Sequence, residues 1–166
     1  MTLDPILNAP LQVQIHVFAA LLALFIGPVS IWRKRRDLIH KSLGVLWNSA
    51  MLVVATTAFF IHEIRWIGPF SPIHLFSFMT YYYLWQAITH LRARRFQAHG
   101  VAMKSLYFNA LVVAGVFTIL PGRRMNEVLF ADYGVEGFVA ALTLSIMALL
   151  WARRRRRAVV THSVSR

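Results

Sequence analysis

Ile15-His16-Val17-Phe18 returns 58 residues later as Ile73-His74-Leu75-Phe76, and this echo decides how the chain is read. Further along the offset is 59. Arg33-Lys34-Arg35-Arg36 answers to Arg92-Ala93-Arg94-Arg95, His40-Lys41 to His99-Gly100, Val53-Val54-Ala55 to Val112-Val113-Ala114, and Arg65 to Arg124. One deleted residue accounts for the change of offset. A fixed period of this kind is the mark of a duplicated supersecondary unit. Each unit, about residues 11–65 and 70–124, reads as two apolar helices joined by a basic loop, with a histidine near the start of every helix.

Composition places such helices in a bilayer. The chain of 166 residues is 58% hydrophobic and 14% charged, with a mean hydropathy of +0.56. Soluble domains average about 45–50% apolar and about 25% charged, and runs of roughly 20 apolar residues are what a bilayer core requires. There is no cysteine. That excludes disulfides, thiolate metal sites, iron–sulfur clusters and haem attached through C-x-x-C-H.

The net charge of +12 does not indicate a nucleic-acid partner, because the basic residues cluster at the ends of apolar runs, where orientation signals belong. Residues 33–41, 92–104 and the tail from Arg153 hold 15 of the 18 Lys and Arg. The other side holds Arg65, Arg123 and Arg124 with five of the six acids, Asp4, Glu63, Glu127, Asp132 and Glu136. The positive-inside rule then sets the N-terminus outside and the C-terminus in the cytoplasm.

Taken in order, Met1 to Pro10 has no basic residue and no small-residue cleavage pattern, so the first apolar run is expected to be retained. Helix one is expected over about Leu11–Trp32, with a kink at Gly27-Pro28. Helix two follows at about Ile39–Ile61, a Gly/Pro-rich turn at 65–72, helix three at about Ile73–Leu91 and helix four at about Val101–Leu120. Pro121-Gly122 ends helix four, and helix five occupies about 135–152. The expected fold is an all-α membrane protein with five transmembrane helices: a four-helix bundle from a duplicated hairpin, plus a fifth helix. Residues 1–152 form one domain, and 153–166 a basic cytoplasmic tail. Its Arg153–Arg157 run reads as an anchor touching anionic lipid or as a partner-docking segment.

Topology sorts the histidines. His16, His62 and His74 belong to the outer leaflet, His40, His90 and His99 to the inner one, and His162 to the tail. Ionisable groups in membrane helices usually face the bundle interior, although a position near the boundary costs little and is a sufficient reason for any one of them. His74 and His90 are about 24 Å and about 160° apart on an ideal helix, so both cannot face the centre. His40 and His62 are about 33 Å apart on one face. In an antiparallel bundle wound in order the repeat mates lie diagonally, which aims His16 at His74 and His40 at His99. Two opposed imidazoles on facing helices are what a b-type haem requires.

Over most of residues 11–124 the chain resembles a family of bacterial integral membrane proteins (domain of unknown function 2306). The resemblance is carried by His16 with the following Gly27, by His40-x-x-x-Gly44-x-x-Trp47 and by His99-x-x-x-Met103-Lys104. It implies a multi-span fold in a bacterial inner membrane and no particular activity. The two histidine pairs are also similar in layout to dihaem b-type membrane cytochromes, such as the ascorbate-reducible kind and superoxide oxidase, from which this chain differs in placing its extra helix last.

The leading expectation is transmembrane electron transfer through two b haems, held by His16/His74 and His40/His99, with a quinone or a small diffusible reductant as redox partner. Arg65 and Arg124 read equally as haem-propionate partners and as loop charge. A second reading makes His16, His62 and His74, beside Glu63, a copper or zinc site. A third is a cofactor-free scaffold or assembly subunit; a homo-oligomer or larger membrane complex fits any of these. Asn48, Asn109 and Gln86 are expected to make interhelical hydrogen bonds, Tyr81-Tyr82-Tyr83 and Trp85 to pack mid-helix, and Trp32, Trp66 and Trp151 to mark the membrane interfaces.

Overall fold

Leu11–Trp32 is helical throughout, 22 residues or about 33 Å, with Pro28 inside it. The computed structural model describes residues 2–61, 74–144 and 147. His62, Glu63, Arg65, Trp66, Trp151, the expected turn at 65–72, the end of helix five and the tail lie outside the described residues. Among the described residues all regular structure is helical. The helices are α1 (Asp4–Leu7), α2 (Leu11–Trp32), α3 (Leu38–Ala58), α4 (His74–Arg92), α5 (Phe96–Ser105), a π-helical segment (Leu106–Val112), α6 (Val113–Thr118), α7 (Arg124–Phe130) and, after a 3₁₀ turn at Ala131–Tyr133, α8 (Gly134–Leu144).

Among the described residues three helical stretches are long and apolar enough to cross a bilayer: Leu11–Trp32, Leu38–Ala58 and Phe96–Thr118, the last running through α5, the π segment and α6. The 19-residue α4 has the length, but its Thr, Gln, His and three adjacent tyrosines leave it outside that set. The described part of α8 is shorter than a span.

The chain divides into two compact units, Ile6–Phe117 and Met1–Pro5 with Thr118–Arg166. In the first, α2 packs on α3, α3 on α4, and α4 on α5 and the π segment, which closes back on α2. The helices thus follow each other around the bundle, and α2 and α4 stand diagonally. On α2 side-chain size is distributed inside out. The buried face of α2 is Val13, Ala19, Ala23, Gly27 and Ser30, whereas Phe18 (71% exposed) and Phe25 (72%) point away from the bundle. Lipid tails are as apolar as leucine, so bulky side chains gain nothing by turning inward, and small residues let the backbones approach.

Among the described glycines of this unit the closest approach is at Gly27. A Cβ there would lie 2.7 Å from two ring carbons of Tyr107 and 2.8 Å from Trp47 Nε1. Trp47 is fully buried and donates Nε1–H to the Ala23 carbonyl at 2.8 Å. Pro28 has no N–H for the Leu24 carbonyl four residues back, and the Tyr107 hydroxyl donates to that oxygen at 3.3 Å. The expected kink site is therefore a helix continued through proline, with its freed carbonyl taken by another helix. Tyr107 lies in the π segment, an i→i+5 widening of the kind that tends to occur at functional sites.

Other local expectations are refined. Helix four starts at Phe96, earlier than its apolar run, which brings His99 inside the helix. Asn109 Nδ2 donates across to the Tyr83 hydroxyl at 3.3 Å. Gln86, expected to bond between helices, instead donates to Tyr82 of its own helix at 2.8 Å, because i and i+4 side chains meet on one face. Asn48 Oδ1 is buried without a hydrogen-bond partner.

In the second unit Asn126 is buried (2% exposed). Its Nδ2 donates to Ile119 O at 2.8 Å and to Gly134 O at 3.1 Å, tying the turn after α6 to the start of α8. A Cβ at Gly134 would lie 2.6 Å from Asn126 Oδ1, so only glycine admits this contact.

Candidate functional site

One end of the Ile6–Phe117 bundle gathers His16, Thr57, Phe59 and His74. His16, in the second turn of α2, reaches across to α3: its Nδ1 lies 3.0 Å from Thr57 Oγ1. The Thr57 hydroxyl proton goes to the Val53 carbonyl at 2.7 Å, the usual i−4 back-bond of a helical threonine. Toward His16 the oxygen is then an acceptor, Nδ1–H donates, and the imidazole lone pair is on Nε2. His74 opens α4 and is buried (2% exposed). Its ring stacks on Phe59, with centroids 5.7 Å apart and planes at 17°. Thr57 and Phe59 are two residues apart at the end of α3, so the two imidazoles, from diagonal helices, meet the same end of one helix.

The other end holds His40, His90 and His99. His40 stands in the first turn of α3. That turn is capped by Asp37, whose carboxylate accepts the His40 backbone N–H at 3.0 Å and Arg33 Nε–H at 3.0 Å. The Arg33 guanidinium, then the His40 N–H, hold the Asp37 carboxyl down to about 2, so it is charged at any physiological pH. The Nδ1 of His40 is buried without a hydrogen-bond partner. His99 lies on α5, diagonal to α3, and its Nδ1 is 2.9 Å from the Ala87 carbonyl of α4. A carbonyl can only accept, so here too Nδ1–H donates and Nε2 carries the lone pair. His90, in the last turn of α4, is half-buried.

Small buried residues follow two of these imidazoles on their helices, Ala19 and Ala23 after His16 and Ser77 and Thr80 after His74, whereas His99 is followed by Ala102 and by the larger Met103 and Leu106, and His40 by Trp47. Gly44 stands one turn beyond His40, and the nearest atom to a Cβ placed there is Ser30 Oγ at 3.9 Å. Among the described residues no three His, Asp or Glu side chains converge as a metal-ligand group. His62 and Arg65 fall outside the described residues. Arg124 opens α7 in the other unit, where its Nη1 donates to Pro5 O at 3.3 Å.

Thr57, Tyr107 and the Ala87 carbonyl escape the sequence reading. Tyr107 had a signal, since the carbonyl four residues before any mid-helix proline needs a donor. Thr57 had a weaker one, as a hydroxyl near the end of the helix that follows His16. A backbone acceptor such as Ala87 leaves no mark in a sequence.

A bundle that turns many of its large apolar side chains outward, with helices long enough to span, defines a multi-pass membrane protein. The chain belongs to the family described as predicted membrane protein (DUF2306), which matches residues 13–152. No curated protein and no solved structure matches it.

Proposed function

We propose that this is a five-span membrane protein, built on a duplicated helical hairpin, that carries electrons between two b-type haems held by His16/His74 and His40/His99. One observation supports it most: His16 and His99 each already give their Nδ1–H to an acceptor of another helix. Histidines that bind metal typically have the other ring nitrogen occupied in this way, which sets the tautomer and makes Nε2 the better ligand. The unpartnered Nδ1 of His40 and the small buried residues that follow His16 and His74 suit the same reading, since a flat macrocycle needs close access to the helix surface.

Bound there, a b haem would supply one-electron chemistry. The chain's own work is to orient the imidazoles and keep water from them, with Thr57 and the Ala87 carbonyl as positioning groups. A quinone or small diffusible reductant is the proposed redox partner. The N-terminus is outside and the C-terminus in the cytoplasm: a reporter fused after Arg166 should be cytoplasmic, and one between Met125 and Tyr133 external. A swapped result would reverse the side of every histidine.

The decisive measurement is the visible spectrum of the full chain purified from haem-replete cells, oxidised and then dithionite-reduced. Low-spin bis-imidazole bands are expected. His16→Ala or His74→Ala should each remove the same component. Thr57→Val should weaken retention of that haem about ten-fold, as losses of outer-shell partners do, while Thr57→Ser keeps it. A colourless parent protein sinks the proposal.

A further inference from the structure

Arg94 occupies a backbone position that normally belongs to glycine. Helix α4 ends in a Schellman turn: Arg95 N–H donates to His90 O at 2.9 Å and Arg94 N–H to Leu91 O at 3.0 Å, with Arg94 at φ 56°. In this motif the left-handed residue is usually glycine, because a Cβ is strained there. The chain accepts that strain and sets an arginine between two others, Arg92 and Arg95.

The second basic loop lies against the first. The Arg36 guanidinium sits over the Phe96 ring, 4.7 Å from its centroid, so the loop joining α2 to α3 and the one joining α4 to α5 form one surface. Lys34, Arg35, Arg36, Lys41, Arg92, Arg94 and Arg95 are all exposed on it. Its single acid, Asp37, is held by Arg33 and does not offset them. Immediately beside the charges, Trp32, Leu38, Leu91 and Phe96 are exposed apolar side chains. Charge at the helix ends with apolar surface just below is the profile of a lipid rather than of a free anion.

We propose that this end of the bundle binds the phosphate headgroup of an anionic phospholipid between the two basic loops, its acyl chains lying along Trp32 and Leu91. Guanidinium groups pair with phosphate oxygens in bidentate fashion, and each basic group near a membrane surface contributes about five-fold in affinity for anionic lipid. The site is independent of any haem.

The test uses the full chain in neutral detergent, with phosphatidylglycerol, phosphatidylcholine or inorganic phosphate added. Lipid retention is read by native mass spectrometry and stability by thermal melting. Phosphatidylglycerol should be retained at least five-fold over phosphatidylcholine. Arg94→Gly should move the two readouts in opposite directions, raising the melting temperature of lipid-free protein by relieving the strained φ while lowering the phosphatidylglycerol preference about five-fold. Arg35→Gln should lower the preference similarly without the gain in melting temperature. An unchanged lipid preference in both variants overturns the proposal. So does an Arg94→Gly protein that melts lower, which would make the arginine a structural cap. Protection by inorganic phosphate equal to that by phosphatidylglycerol would reassign the surface to a free anion.

Discussion

Trp47→Ala should destabilise the bundle by about 3 kcal/mol or more, the scale seen when large buried aromatics are truncated. The side chain is fully buried and bonded to the Ala23 carbonyl. Together with Tyr107 it fills the space against Gly27. In a bilayer the term for transfer out of water is small between helices, so the loss is one of van der Waals contact and an unfilled cavity. The hydrogen bond itself is a minor share, about 1 kcal/mol, because Ala23 O is also the regular helical acceptor for Gly27 N–H. Trp47→Phe, which keeps most of the volume and loses the bond, should therefore cost much less than Trp47→Ala. Reversible unfolding in mixed micelles by SDS titration measures both. Equal losses in the two variants would show that the bond, and not the packing, dominates.

Gly27→Ala should cost about 2 kcal/mol, while the same substitution at Gly100 should stabilise by up to about 1 kcal/mol. Alanine gains about 1 kcal/mol over glycine inside a helix, and at Gly100 nothing lies within 4 Å of the added Cβ to oppose that gain. At Gly27 the Cβ meets two rings that are held in place. Tyr107 is fixed by its bond to Leu24 O and by edge-on contacts with Trp32 and Phe108, at centroid distances of 5.9 and 5.3 Å. Trp47 is fixed through Ala23 O. Overpacking a rigid site costs up to about 3 kcal/mol, which outweighs the helix gain. In a double-mutant cycle, Tyr107→Ala should relieve the Gly27→Ala penalty by at least about 1 kcal/mol, since the residues touch. Strict additivity would show that Tyr107 yields freely and that this contact does not limit helix approach.

By itself the sequence determined what depends on order along one chain. The length of an apolar run sets whether a helix can span, and the bounds of Leu11–Trp32 are the same in both readings. The Arg-rich segments mark the loop ends for the same reason, and the diagonal relation of α2 to α4 follows from short connections between antiparallel neighbours. His16 and His74 were legible as candidates because an ionisable group in an apolar helix is conspicuous. Only the tertiary structure decided which atoms those groups meet. Thr57 is 41 residues from His16, Ala87 offers His99 a bare backbone carbonyl, and Tyr107 answers Pro28 from 83 residues beyond Leu24. Helix α5 begins ahead of its apolar run, and Tyr107, in the π segment, lies against Gly27. A donor lacking an acceptor can be recognised in a sequence, but which acceptor fills it is set by how the helices rotate against one another.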